Sequence, residues 1–133
     1  MSEFAEQVAI IVGAANGVGR ATARSLARLG AKLVLVDAGT GIDGEGRDPE
    51  PVQALARELG EETALPLALD VALPDTAKLL VQQAIERFGR VDHGVYCAGF
   101  HHERALLRTS DDDLERVLGV HLYAPVRFAR ELA

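Results

Sequence analysis

Tryptophan is absent from this chain of 133 residues, cysteine occurs once, and aromatic residues make up only 5%. The core must therefore be aliphatic, and Cys97 alone cannot form an internal disulfide, which fits a reducing compartment. Long apolar runs are missing too. The longest are strand-length, too short to span a bilayer, so no membrane association is expected. The opening Met1-Ser2-Glu3-Phe4-Ala5-Glu6 lacks the apolar stretch of a secretory leader. Together these absences point to a cytoplasmic location. Basic excess is also lacking: 14 Lys and Arg stand against 20 Asp and Glu, a net charge of −6. Without a basic stripe, nucleic acid is not an expected partner.

What is present describes a globular chain. A hydrophobic fraction of 48% with 26% charged residues suits a folded core, and the length suits one domain spanning 1–133. Three segments repeat one rhythm: a helical pattern, a closing glycine, then a β-rich run. Helices are expected at about 17–29, 51–59 and 74–88, closed by Gly30, Gly60 and Gly89. Strands are expected at 32–37, 64–69 and 91–97, after a first strand at 8–12. Pro51 and Pro74 suit a helix first turn. Near-continuous apolar strands alternating with helices imply a parallel sheet covered on both faces. The fold class is α/β, a Rossmann-type doubly wound sheet with strand order 3-2-1-4. Residues 38–50 read as an exposed loop.

Residues 110–132 form a fourth helical pattern. Ser110 suits the N-cap, and Asp111, Asp112 and Asp113 complement the positive end of the helix dipole. Leu114, Leu118, His121, Pro125, Phe128 and Leu132 make one stripe, with Val117, Val120, Tyr123 and Val126 elsewhere. A helix this apolar is expected to be buried on more than one side, and bent at Pro125. His121 is expected to face inward, with a ring nitrogen bonded to a backbone carbonyl or a water.

The chemistry lies at the strand ends. The run Val8–Val12 feeds into Gly13, Asn16, Gly17, Val18 and Gly19, spaced G-x-x-x-G-x-G before a helix. Such a turn presents helix N-terminal N–H groups to a dinucleotide pyrophosphate. Gly13 permits the turn, Gly17 admits the pyrophosphate, and Gly19 allows close helix–strand packing. Asp37 ends the second strand, where a carboxylate can accept both adenosine ribose hydroxyls and would repel a 2′-phosphate. The cofactor is therefore expected to be NAD. Asp70 and Val71 close the third strand, suited to an adenine amino group and its ring. Cys97, Ala98 and Gly99 close the fourth, where small residues let a ribose lie close to the backbone. Cys97 reads as a small hydrophobe rather than a nucleophile. His93, His101 and His102 lack convergent ligands at metal spacing and read as surface or loop residues, so no metal is expected.

These motifs in this order resemble the short-chain dehydrogenase/reductase family over essentially the whole chain. Its Thr-Gly-x-x-x-Gly-x-Gly stands as Val12 to Gly19, its acidic second-strand end as Asp37, its Asp-Val as Asp70-Val71, and its Asn-Asn-Ala-Gly as Tyr96-Cys97-Ala98-Gly99. The long insert after Asp37, the segment His102-Glu103-Arg104, and Val120-His121-Leu122 resemble the hydroxyacyl-CoA dehydrogenase branch of multifunctional β-oxidation enzymes. The resemblance implies an oxidoreductase acting on alcohols and ketones, hydroxyacyl thioesters among them, and a homo-oligomer joined near Tyr123, Val126 and Arg127. It places His121 where most members carry a catalytic Asn. Val12 departs from the usual Thr and Cys97 from the usual Asn. The family's catalytic Ser and Tyr-x-x-x-Lys find no match: Tyr96 is followed four residues on by Phe100, and Tyr123 by Arg127. The chain therefore reads as the cofactor-binding half of such an enzyme. The alternatives are a non-catalytic NAD-binding or interaction module, or one chain of a two-chain enzyme.

Overall fold

The structure, a computed structural model, describes residues 2–133. Four strands, β1 (Val8–Val12), β2 (Lys32–Val36), β3 (Ala64–Leu67) and β4 (His93–Tyr96), form one sheet in the order β3-β2-β1-β4. All three pairings are parallel, in registers such as Ile10↔Val34, Ile10↔Gly94 and Val34↔Leu65. Helices α1 (Gly17–Arg28), α2 (Glu50–Leu59) and α3 (Thr76–Phe88) cross between successive strands. After β4 come a short 3-10 turn (Leu106–Arg108), α4 (Asp111–Leu118), a π-helical turn (Gly119–Tyr123) and α5 (Ala124–Leu132).

Strand periodicity divides the core in two. Ala9, Ile11, Leu33 and Leu35 pack on one face with Ala23, Val52 and Leu55 from α1 and α2. Ile10, Val12, Val34 and Val36 pack on the other with Leu80 and Ala84 of α3 and Phe128 of α5. Successive side chains of a strand point to opposite faces, so two apolar strands with no polar alternation need cover on both sides. β1 and β2 are buried almost throughout, while the outer strands β3 and β4 are mostly half-buried. Pro66 is paired opposite Leu35 in β3, which is tolerated because β3 is an edge strand.

Several expected boundaries shift. β3 stops at Leu67, and α3 begins at Thr76 rather than Pro74. There the Thr76 hydroxyl donates to the Asp70 carbonyl at 2.7 Å and fixes the strand-to-helix turn. His93 is a strand residue rather than a surface one: its Nε2 meets the Gln7 side chain and its ring stands edge-on to Phe4.

The larger correction concerns residues 110–132. They are helical without a break from Asp111 to Leu132, as expected, but they are not buried on several sides. The π-helical turn separates α4 from α5 just before Pro125. Only Asp113, Gly119, Ala124 and Phe128 are buried across these segments, while Leu114, Leu122, Tyr123 and Val126 are exposed. His121 is exposed as well, not on an inward stripe. A π-turn adds a residue to the local repeat, so the face that a regular helix would continue is rotated beyond it.

Candidate cofactor site

The C-terminal ends of the four strands open into a cavity of about 680 Å³. Its lining includes Gly13, Asn16, Gly17, Val18, Asp37, Asp70, Val71, Cys97, Ala98 and Gly99, brought together from four separate turns. A crevice beyond the carboxyl ends of parallel strands is where open α/β sheets bind ligands.

The glycine turn forms one wall. The Gly13 and Ala14 N–H groups both donate to Val36 O, at 2.8 and 3.1 Å, and Cys97 N–H donates to Val12 O at 2.8 Å. These bonds carry the sheet past its last paired residues and fix three strand ends together. Gly13 has φ +80°, and a Cβ there would lie 2.6 Å from Ala98 N. Gly19 does not line the cavity; a Cβ there would lie 2.0 Å from Gly13 O, so its absence lets α1 press against the turn. Gly17 differs from both. Its φ of +52° favours glycine, but a Cβ there would meet nothing within 4 Å, so the space beside it is open. The Asn16 side chain does not cap α1, and no acidic residue occupies the first turn. Orphan N–H groups, an open approach and no acidic residue in the helix's own first turn fit a pyrophosphate at this position.

Asp37 is half-buried, and both carboxylate oxygens accept backbone bonds: Oδ2 from Ala15 N–H at 2.9 Å, Oδ1 from Gly39 N–H at 2.8 Å. The carboxylate is thereby locked against the glycine turn. Each oxygen keeps a further lone-pair direction for a hydroxyl donor. Asp70 is held similarly: Oδ1 accepts from Ala72 N–H at 2.9 Å, and Oδ2 pairs with Arg47 at 3.1 Å.

Arg47 reveals what the sequence reading missed. The exposed loop at residues 38–49 lies across the cavity and contributes Thr40, Gly41, Ile42, Gly44 and Arg47 to its lining. It acts as a strap, tied down at several points. His101 N–H donates to Ile42 O at 2.8 Å, the Phe100 ring packs on Gly44, and Arg116 of α4 pairs with Glu45 at 2.6 Å. The Arg116 guanidinium also sits 5.5 Å from the Phe100 ring centroid. Phe100, Arg116 and Val120 line the cavity themselves. The only sequence signal was the length and glycine content of the insert.

His121 is outside the cavity lining. Its ring abuts Gly99, and Nε2 lies 3.2 Å from both the N and the O of Phe100. His102 is not a free surface residue: its side chain is 16% exposed, with Nε2 3.3 Å from Asp113 Oδ1.

The comparisons with known proteins agree with this geometry. The family described as enoyl-(acyl carrier protein) reductase matches residues 13–133. A hydroxyacyl-CoA dehydrogenase of Mycobacterium tuberculosis is 34% identical over 132 residues, 99% of this chain and 41% of its own length. The peroxisomal hydratase-dehydrogenase-epimerase of Saccharomyces cerevisiae is 34% identical over 125 residues, 93% of this chain and 13% of its own. The crystal structure of a 3-ketoacyl-(acyl-carrier-protein) reductase from Brucella melitensis complexed with NADH superposes with a TM-score of 0.83 at 28% identity, covering 98% of this chain and 50% of that one. The chain thus spans less than half the length of the curated relatives it matches. With the strand order, the glycine turn and residues 13–133 all matched, the chain belongs to the short-chain dehydrogenase/reductase family.

Proposed function

We propose that this chain is the dinucleotide-binding portion of an NAD-dependent oxidoreductase acting on alcohols and ketones. The observation that carries the cofactor choice is Asp37. Its carboxylate is fixed at the end of β2 by two backbone donors and cannot swing away from an incoming ribose. Gly13, Asn16, Gly17 and Val18 hold the pyrophosphate, with Gly19 shaping the turn behind them. Asp70 and Val71 receive the adenine, and Cys97, Ala98 and Gly99 bound the second ribose. Bound there, the nicotinamide supplies a hydride acceptor or donor. The substrate class proposed first is the hydroxyacyl thioester, supported by the likeness to the mycobacterial hydroxyacyl-CoA dehydrogenase and the yeast hydratase-dehydrogenase-epimerase. No tyrosine among these 133 residues has a lysine four positions on. In this reading the proton-transferring Ser, Tyr and Lys come from sequence outside them.

His121 is proposed to anchor a relay water in place of the family Asn. Its Nε2 is engaged by the Phe100 main chain, which leaves Nδ1 for the water. In the assembled enzyme His121→Asn should retain much of the activity and His121→Leu should lose it. Leu122, Tyr123 and Val126, exposed at 49, 38 and 58%, offer an apolar face for a second copy of the chain. A clean monomer in sedimentation at micromolar concentration would remove that part.

Titration calorimetry with NAD and NADP tests the cofactor reading. The parent chain should prefer NAD by about tenfold or more, the equivalent of ~1.4 kcal/mol. Asp37→Ala should narrow the gap. Equal or tighter binding of NADP to the parent would sink it.

A further inference from the structure

Val120, in the π-turn, has a carbonyl with no helical donor. In a regular helix it would accept from the N–H of Ala124, but that N–H donates to Gly119 O, as the π-turn requires. The next donor along would be residue 125, which is proline and has none. The bond comes instead from across the fold: the Tyr96 hydroxyl, at the end of β4, donates to Val120 O. Tyr96 is half-buried against Phe128, with ring centroids 6.2 Å apart, so its hydroxyl has little freedom to turn elsewhere.

We infer that Tyr96 is a positioning residue for the cavity: its hydroxyl replaces the main-chain donor missing at Pro125 and pins the π-turn to the sheet. Two consequences reach the site. Val120 lines the cavity, and the adjacent His121 ring is held against Gly99 and the Phe100 main chain. Phe100 in turn carries the strap through Gly44. An unbonded Val120 carbonyl in this half-buried turn would favour a shift of the turn toward solvent or a regular helix. Either movement would displace Val120 from the cavity wall and His121 from its place behind Gly99 and Phe100, which line that wall. The link to dinucleotide binding rests on the functional reading above; the link between Tyr96 and Pro125 does not.

The test is a double-mutant cycle with Tyr96→Phe, which keeps the ring, and Pro125→Ala, which restores an N–H. Three readouts apply: the thermal midpoint, the NADH dissociation constant, and the His121 ring resonances in the ligand-free protein. Tyr96→Phe alone should lower the midpoint by roughly 4 °C, as expected for one lost hydrogen bond in a domain of this size. It should weaken NADH binding by about fivefold and shift the His121 resonances. In the Pro125→Ala background, Tyr96→Phe should change the midpoint by no more than about 1 °C. Equal midpoint losses in both backgrounds would overturn the hydrogen-bond substitution. Unmoved His121 resonances in Tyr96→Phe would overturn the positioning role, and so would unchanged NADH affinity accompanied by a lowered midpoint. If the parent binds no NADH, the dinucleotide reading fails separately, while the midpoint and resonance readouts still decide the role of Tyr96.

Discussion

A methyl group added at Gly19 would fall 2.0 Å from the Gly13 carbonyl oxygen, whereas one added at Gly44 would fall 2.8 Å from the Phe100 ring. The first obstacle is backbone, fixed by strand β1 and the Val36 carbonyl. The second is a side chain on a loop. The two walls of the cavity thus differ in what holds them. The glycine turn is bound through main-chain hydrogen bonds and backbone approach, which a sheet makes rigid. The strap at residues 38–49 is closed on itself by backbone, Asp48 N–H donating to Gly39 O. It is tied to the rest of the cavity by one main-chain bond, from His101 N–H to Ile42 O, and otherwise by the Phe100 ring, Arg116 and Arg47, contacts that side chains can release. One wall is suited to fixing a ligand and the other to yielding when a ligand enters or leaves.

Breaking each wall should give effects of different size. Gly19→Ala forces backbone apart and should cost about 3 kcal/mol or more, enough to leave a marginal domain largely unfolded. Gly44→Ala should cost only about 1 kcal/mol, chiefly for placing a side chain at positive φ, because Phe100 can turn aside. Urea denaturation of both variants checks this. Comparable losses would mean that the strap is as rigid as the turn.

The helix that anchors the strap should also respond to pH. Asp113 sits at the start of α4, the helix that supplies Arg116 to the strap. It accepts from Ser110 N–H at 2.9 Å and pairs with Arg104 at 3.1 Å, while the Ser110 hydroxyl accepts from its own N–H. The Ser110 N–H, more than any other partner, holds this carboxyl below its usual range. A depressed folded value means that the contribution is present above the unfolded value of about 3.9 and is lost as pH falls through the folded one. Asp113→Asn should be less stable than the parent at neutral pH, and the difference should close below about pH 4. Urea midpoints measured across that range check the sign. A gap that stays constant with pH would show that Asp113 acts through something other than its charge.

The same contrast explains what could be read from the chain. β1, the glycine turn, α1 and Asp37 were legible because their determinants are local: an apolar run, glycines at fixed spacing and a carboxylate at a strand end. The strand order followed from the repeating helix–strand rhythm. The strap was not legible as part of the site. Arg47, Phe100 and Arg116 are far apart in sequence, and nothing in their spacing brings them together. His121 failed for another reason. Its inward placement assumed an unbroken helical repeat through residue 125, and the π-turn changes the phase just there. Asp113 was read as a partner for the helix dipole, when its carboxylate also gathers Arg104 and lies beside His102. Tertiary partners decided the strap and Asp113, and a change of helical phase decided His121.

The gentlest way to sharpen the comparison is to untie the strap at one point. The pair between Arg116 and Glu45 is 2.6 Å long, with side chains 41 and 67% exposed. Screening and side-chain entropy keep such pairs below about 1 kcal/mol. Arg116→Ala should therefore shift the thermal midpoint by no more than about 3 °C. It removes both the ion pair and the cation over Phe100, so it should loosen the strap without touching the glycine turn. The expected signature is kinetic: NADH should leave about three times faster while the association rate changes little, since a loss of this size falls mainly on dissociation. Salt at about 0.5 M should speed release from the parent and have a smaller effect on the variant, because screening has already been mimicked by removing the charge. Stopped-flow fluorescence of bound NADH measures both rates. If neither the substitution nor salt alters release, the strap is a fixed wall, and the difference between the two sides of the cavity ends at their contacts.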